Sequence, residues 1–134
     1  MFLLDCRVFI ALCNRDHEFS AAAHDWYERE VKVFALCPIV EGAWLRMSLR
    51  LEPKHGLRDG LTALKAYRAL ENCEFWPESI SYTEIDWRGV IGHKQVTDAY
   101  LVALAKLKNA QLASFDRGLA ALRPDVVHLV PIQS

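Results

Sequence analysis

The chain lacks any apolar run near the ~20 residues that a membrane-spanning helix requires, so no membrane protein is expected. Its four cysteines show neither CxxC spacing nor the density of a disulfide-stabilised domain, which favours reduced structural thiols. Neither HExxH nor another paired histidine spacing for zinc occurs, and no GxGxxG motif follows a strand. The formal charge of −1 argues against a basic surface over the whole protein, although a local basic patch is still allowed.

The length and composition are typical of one globular unit. The 134 residues are 52% hydrophobic and 25% charged, which is enough apolar material for a core and excludes a disordered chain. The N-terminal segment MFLLDCRVFIALC has neither a basic leader nor a small-residue cleavage site, so no secretory signal is expected. We therefore predict a single domain over residues 1–134 in the cytoplasm.

The apolar pattern alternates between short strands and helices along the whole chain. Strands are predicted at 2–4, 33–36, 74–76, 112–115 and 126–130, and helices at 8–13, 17–31, 38–51, 56–73, 83–90, 96–108 and from 116 to 122. Such alternation predicts an α/β fold with a mainly parallel sheet and helices on both faces.

Four acidic residues occupy similar positions in this pattern. Asp5, Glu41 and Asp116 follow short apolar strands, and Asp98 stands at the start of a long helix with an apolar stripe; all four lie at or near helix starts. The carboxyl ends of parallel strands line one edge of a sheet, where ligands bind. We therefore expect the four carboxylates to converge.

Helix capping is the simpler explanation for each acid taken alone. An aspartate before a helix accepts backbone N–H bonds, and a carboxylate in the first turn interacts favourably with the helix dipole. Taken together the acids favour a cation, because neighbouring carboxylates raise each other's pKa values. Oxygen ligands without cysteine or histidine favour Mg²⁺ or Mn²⁺ over Zn²⁺.

Four segments that contain these acids resemble the acidic motifs of PIN-domain ribonucleases, and most closely those of VapC-type toxins from bacterial toxin–antitoxin pairs. The segments are LLDCRVFIAL, CPIVEGAWLRM, GHKQVTDAYLVALA and LASFDRGLA, in the order that the family has. The resemblance covers nearly the whole chain, and its third and fourth segments are the most specific.

The resemblance implies a three-layer α/β/α sandwich and hydrolysis of RNA phosphodiester bonds that depends on Mg²⁺ or Mn²⁺. It assigns Asp5, Asp98 and Asp116 to the metal and gives Glu41 a supporting catalytic role. It also implies a homodimer that a small VapB-like antitoxin neutralises.

One residue departs from the family pattern. The family usually has asparagine two residues after the first acid, where this chain has Arg7. An arginine there could repel the metal, reach a substrate phosphate or point away, and the sequence leaves these possibilities open. The alternative function is therefore a non-catalytic PIN-like domain that binds RNA or protein. A receiver-like signalling domain also gathers acids at strand ends, but the required phosphoacceptor aspartate and late lysine are not evident.

Overall fold

In the described part of the chain, five short parallel strands form the centre of the protein. The computed structural model describes residues 1–132, so the last two residues of the predicted domain lie outside the described part. The strands are β1 (Phe2–Leu4), β2 (Phe34–Leu36), β3 (Cys73–Phe75), β4 (Gln111–Ser114) and β5 (Val127–Leu129). Their order across the sheet is β3-β2-β1-β4-β5, and every pair is parallel.

Within residues 1–132, six α-helices cover the sheet: α1 (Cys6–Cys13), α2 (Ser20–Glu30), α3 (Pro38–Leu51), α4 (Gly56–Arg68), α5 (Val96–Leu107) and α6 (Arg117–Leu122). Connections between parallel strands are right-handed, and the strand order reverses direction after β3. The first four helices therefore lie on one face, and α5 and α6 lie on the other. The predicted α/β/α sandwich with a parallel central sheet is confirmed.

The core lies where the central strands meet the helices. Leu3, Leu4 and all three residues of β2 are fully buried, as a strand covered on both faces requires. Trp26, Trp44 and Trp76 are also buried, whereas Trp87 is exposed and stacks on Tyr82. No helix among residues 1–132 is long and apolar enough to cross a membrane.

Two helices differ from the predicted bounds, one at its start and one at its end. The first helix begins at Cys6 rather than Val8, because the Asp5 carboxylate accepts the Val8 N–H at 2.8 Å and caps the chain immediately after β1. The predicted helix over 56–73 ends at Arg68, since the chain must extend to form β3 from Cys73.

The predicted helix over 83–90 is wrong. Only a 3₁₀ turn at Tyr82–Glu84 forms there, and the following residues are an irregular loop. The carbonyls of Asp86 and Arg88 accept hydrogen bonds from the Arg123 guanidinium instead of from helical N–H groups. Gly89 adopts a φ of 82°, which also ends any helix at this point.

All four cysteines are free, in agreement with the predicted reduced state. Burial raises the pKa of both Cys6 and Cys13 to about 12, so their thiols stay protonated at neutral pH. A protonated thiol is a poor nucleophile, which argues against thiol catalysis by these two residues.

Candidate functional site

Asp5 is the most deeply placed of the four acids. It follows β1 directly and is 4% exposed. Burial raises the pKa of its carboxyl to about 7, and the negative charge of Asp98 adds to this rise. Hydrogen bonds from the Ser114 hydroxyl and the Val8 N–H act in the opposite direction, as does the Arg7 charge. Near neutral pH this carboxyl is therefore poised between its protonated and ionised forms.

Asp98 lies in the first turn of α5 and is half-buried. Burial and the negative charge of Asp116 raise its pKa to about 6, while the positive charge of Arg7 lowers it. Asp98 thus interacts electrostatically with both of the other aspartates. A first-turn position alone would have favoured the ionised form, so burial and the neighbouring acid outweigh the helix dipole here.

Asp116 caps α6 and is exposed. Its Oδ1 accepts the Leu119 N–H at 3.0 Å, and its own N–H donates to the Ser114 hydroxyl at 3.1 Å. Ser114, at the end of β4, is 1% exposed, and its hydroxyl both accepts the Asp116 N–H and lowers the pKa of Asp5. The structure therefore joins Asp5, Asp98 and Asp116 into one acidic cluster, with Ser114 beneath it.

Glu41 stands apart from this cluster. It lies in the first turn of α3, the helix that follows β2, so it belongs to the same edge of the sheet. Its carboxylate accepts a hydrogen bond from Arg68 at 3.2 Å, and the Arg68 guanidinium lies 4.4 Å from the centre of the Phe75 ring. Glu41 is not among the charges that shift Asp5 or Asp98. The supporting role that the resemblance gives to Glu41 stays a prediction.

Arg7 lies at the border of the acidic cluster. Its guanidinium lies over the Phe19 ring at 5.5 Å from the ring centre, and its charge lowers the pKa values of both Asp5 and Asp98. Within residues 1–132 it forms no ion pair with either acid at 4 Å or less. Contact with Phe19 therefore holds the Arg7 guanidinium near the carboxylates, but not close enough to form an ion pair with them.

The cluster supplies oxygen atoms but is not arranged as a finished metal site. No three histidine, cysteine, aspartate or glutamate side chains in the described part of the chain are grouped closely enough to hold an ion as they stand. The Oδ1 atoms of Asp5 and Asp116 accept helix N–H bonds, so each carboxylate has a second oxygen that the cap does not use. The donor set is therefore that of a hard divalent cation, with side-chain adjustment on binding.

Sequence reasoning missed two residues that shape this site. Ser114 stands inside the LASFDRGLA segment, and a small polar residue at the end of an apolar strand was the available signal. Phe19 gave no signal, because it fits the apolar stripe of the following helix. Its position beneath Arg7 depends on how α1 and α2 pack.

Comparison with known proteins gives a consistent result. The PIN domain family model matches residues 2–123. Ribonuclease VapC29 of Mycobacterium tuberculosis is 40% identical over 130 residues, which cover 96% of each chain. Ribonuclease VapC38 of the same species is 31% identical over 126 residues, covering 91% of this chain and 89% of the relative.

Two solved structures share the fold. The Sarcin-Ricin loop cleaving toxin VapC20 of Mycobacterium tuberculosis superposes with a TM-score of 0.72 at 19% identity, over 98% of this chain and all of the other. The Rickettsia felis VapBC2 structure, bound to a DNA fragment from its promoter, has a TM-score of 0.64 at 15% identity and covers 94% and 95% of the two chains. With the family match and the relatives above, these results place the chain in the PIN-domain family, among the VapC ribonucleases.

Proposed function

We propose that this VapC ribonuclease is an endoribonuclease that depends on Mg²⁺ or Mn²⁺ held by Asp5, Asp98 and Asp116. The observation that carries the proposal is the linked set of pKa shifts: Asp98 raises the pKa of Asp5, and Asp116 raises that of Asp98. None of the three forms an ion pair with a basic side chain within residues 1–132. A divalent cation would relieve this repulsion and keep all three carboxylates ionised.

The chemistry of the cluster fits such an ion. Mg²⁺ takes oxygen ligands, usually one or two carboxylates with substrate phosphate oxygens and water. When bound, it supplies electrostatic stabilisation of the charge that develops on the scissile phosphate. Helix N–H bonds hold one oxygen of Asp5 and one of Asp116, so side-chain adjustment would bring their second oxygens to the ion.

Glu41 takes a different role in this proposal. Arg68 fixes its carboxylate at the same edge of the sheet, and only 18% of the Glu41 side chain is exposed. From this position Glu41 would orient the attacking water or support a second ion, while the aspartates hold the first. We divide the roles in this way because the charge of Glu41 is not among those that shift the pKa values of Asp5 and Asp98.

The substrate and partners follow from the family. We propose RNA as the substrate, a VapB-like antitoxin as the neutralising partner and a homodimer in the cytoplasm as the working assembly. The ribonuclease names of the relatives support the first proposal, and the paired VapBC2 structure of the Rickettsia felis neighbour supports the second.

Metal dependence is tested directly by RNA cleavage. The purified chain is expected to cleave a mixed cellular RNA sample with Mg²⁺ or Mn²⁺ and to lose this activity in excess EDTA. Activity should return when the divalent ion is restored, because chelation removes only the cation. Full cleavage in EDTA would exclude the mechanism, and a catalytically inert domain would leave the RNA intact under every condition.

Arg7→Asn tests the residue that departs from the family pattern. Removing a positive charge that acts on Asp5 and Asp98 is expected to strengthen Mn²⁺ binding by about 3- to 10-fold, as a nearby like charge opposes a cation by roughly 1 kcal/mol. Calorimetric titration at pH 8.5 measures this while proton competition is small. Arg15→Asn, an exposed substitution, serves as the control.

The same variant separates the two candidate functions. If wild-type protein does not cleave RNA and Arg7→Asn does, the chain is a non-catalytic PIN-like domain disabled by Arg7. Unchanged Mn²⁺ affinity in Arg7→Asn would contradict the electrostatic role given to this residue.

A further inference from the structure

A cavity of about 220 Å³ opens beside the acidic cluster, between α5, α6 and the loop that precedes α5. Asp98 and Asp116 form part of its wall, so any group inside it lies next to these two carboxylates. Val90, Val102, Leu119 and Leu122 supply the apolar part of the wall. The cavity therefore combines an apolar interior with one acidic side.

The loop side of this cavity is held in place by a buried arginine. Arg123 is 7% exposed, and its guanidinium donates to the carbonyls of Leu122, Asp86 and Arg88 at 3.2, 3.2 and 2.6 Å. The loop also packs closely on α6, because a Cβ atom built on Gly89 would lie 2.5 Å from a Leu122 methyl group. The cavity is thus preformed rather than made by loop closure.

Gln95 gives the cavity a hydrogen-bonding group. Its Oε1 accepts the N–H groups of Ile91 and Gly92 at 2.7 and 3.0 Å, which fixes the orientation of the amide. Within the described residues its Nε2 makes no hydrogen bond, so two N–H donors are available at the wall. A ligand with a ring nitrogen or carbonyl acceptor would satisfy them.

The size of the cavity limits what it can take. Its volume is below the roughly 300–1,000 Å³ of sites for drug-sized molecules, so it suits one ring system rather than a chain of nucleotides. Unstacked bases are recognised by hydrogen bonds to their edges and by packing between aromatic or apolar side chains of a pocket. The apolar wall would pack against a base, and the fixed amide of Gln95 would donate hydrogen bonds to its edge. Both features lie beside the centre where we propose that the phosphate binds.

We propose that this cavity binds the base of the nucleotide adjoining the scissile phosphate and so contributes to the choice of cleavage site. The inference rests on the proposed ribonuclease function, since the cation proposed at Asp98 and Asp116, rather than the carboxylates themselves, would place the phosphate. A side chain of a protein partner is the alternative occupant, and the experiments below distinguish the two.

Val90→Trp tests the proposal by filling the cavity from its loop side. Cleavage of a randomised RNA pool in Mn²⁺, read by sequencing the product ends, should show a base preference beside the cut for wild type. In Val90→Trp that preference should fall at least about fivefold, because the indole would occupy the space that the base fills. Val33→Trp, a similar change at an exposed position before β2, should keep the wild-type preference.

A profile without base preference in wild type, or an unchanged profile in Val90→Trp, would overturn the inference while leaving the proposed function intact. Absence of cleavage by wild type would instead count against the proposed function. A measurement that does not depend on activity then decides the question of the cavity.

This second measurement uses the four 5′-nucleoside monophosphates in Mg²⁺, with ribose 5-phosphate as the probe that lacks a base. At least one nucleotide should shift the NMR methyl signals of Val90, Val102 and Leu119, and ribose 5-phosphate should not. Val90→Trp should abolish the effect on the remaining two residues. Equal shifts from ribose 5-phosphate, or none from any nucleotide, would reject base binding and favour a protein side chain as the occupant.

Discussion

Asp98→Asn is expected to lower the rate of RNA cleavage by more than about 100-fold. Asp98 is the aspartate through which the other two acids interact, since it raises the pKa of Asp5 and its own pKa is raised by Asp116. Asparagine keeps the size of the side chain and removes its charge. The ion that we propose would then lose its central carboxylate, and with it the ordered approach of the phosphate.

The control is Asp59→Asn, which changes a first-turn aspartate of another helix. Asp59 opens α4 much as Asp98 opens α5, but it is exposed and pairs only with the neighbouring Arg58. If Asp98 served only to compensate the helix dipole, both substitutions would have the same effect on the rate of RNA cleavage. Initial rates in Mn²⁺ for both variants and wild type decide this, with circular dichroism to verify folding. Equal rates for Asp98→Asn and wild type would remove Asp98 from the mechanism.

Asp5→Asn is expected to stabilise the metal-free protein at pH 8 by about 2–4 kcal/mol. In the folded protein the pKa of Asp5 is about 7, compared with an ordinary value of 3.8. The folded state therefore holds a proton that the unfolded state has already lost. Stability falls as the pH rises from about 4 to about 7, and the full penalty of about 4 kcal/mol applies above that range. Asparagine is neutral and can still cap α1.

The measurement is urea unfolding at pH 4 and pH 8 in EDTA. The free energy of unfolding of Asp5→Asn should exceed that of wild type at pH 8 and lose most of this advantage at pH 4. At that pH the folded-state carboxyl is protonated and the unfolded-state carboxyl is close to its ordinary pKa of 3.8, so little of the penalty is left. Asp116→Asn is the matched control, because it also caps a helix but is exposed, and it should change stability at pH 8 by less than about 1 kcal/mol.

Divalent ions provide a further comparison for the same variants. Saturating Mn²⁺ should raise the stability of wild type, because an ion that binds only the folded state shifts unfolding by mass action. The same Mn²⁺ concentration should stabilise Asp5→Asn much less than it stabilises wild type. An Asp5→Asn protein that is less stable than wild type at pH 8 without metal would show that this buried carboxylate stabilises the fold, contrary to our interpretation.

Much of the fold was predictable because its signals are local. Apolar runs with a period of two or of three to four residues identified the five strands and most helices, and Pro38 marked the start of α3. The segment over 83–90 was predicted wrongly because its conformation depends on Arg123, which lies more than thirty residues away in the chain. A local sequence pattern cannot predict a hydrogen bond between a backbone carbonyl and a guanidinium that is so far away in the chain.

The sequence by itself determined the parallel α/β/α fold, the family and the candidate acids, because strand–helix alternation and the ordered motifs are properties of the chain. Tertiary structure decided how those acids are grouped: Asp5, Asp98 and Asp116 interact, while Arg68 engages Glu41. It also placed Arg7 over Phe19 and opened a cavity beside the cluster. Electrostatic coupling and burial depend on distances in space, which the spacing of residues along a chain does not specify.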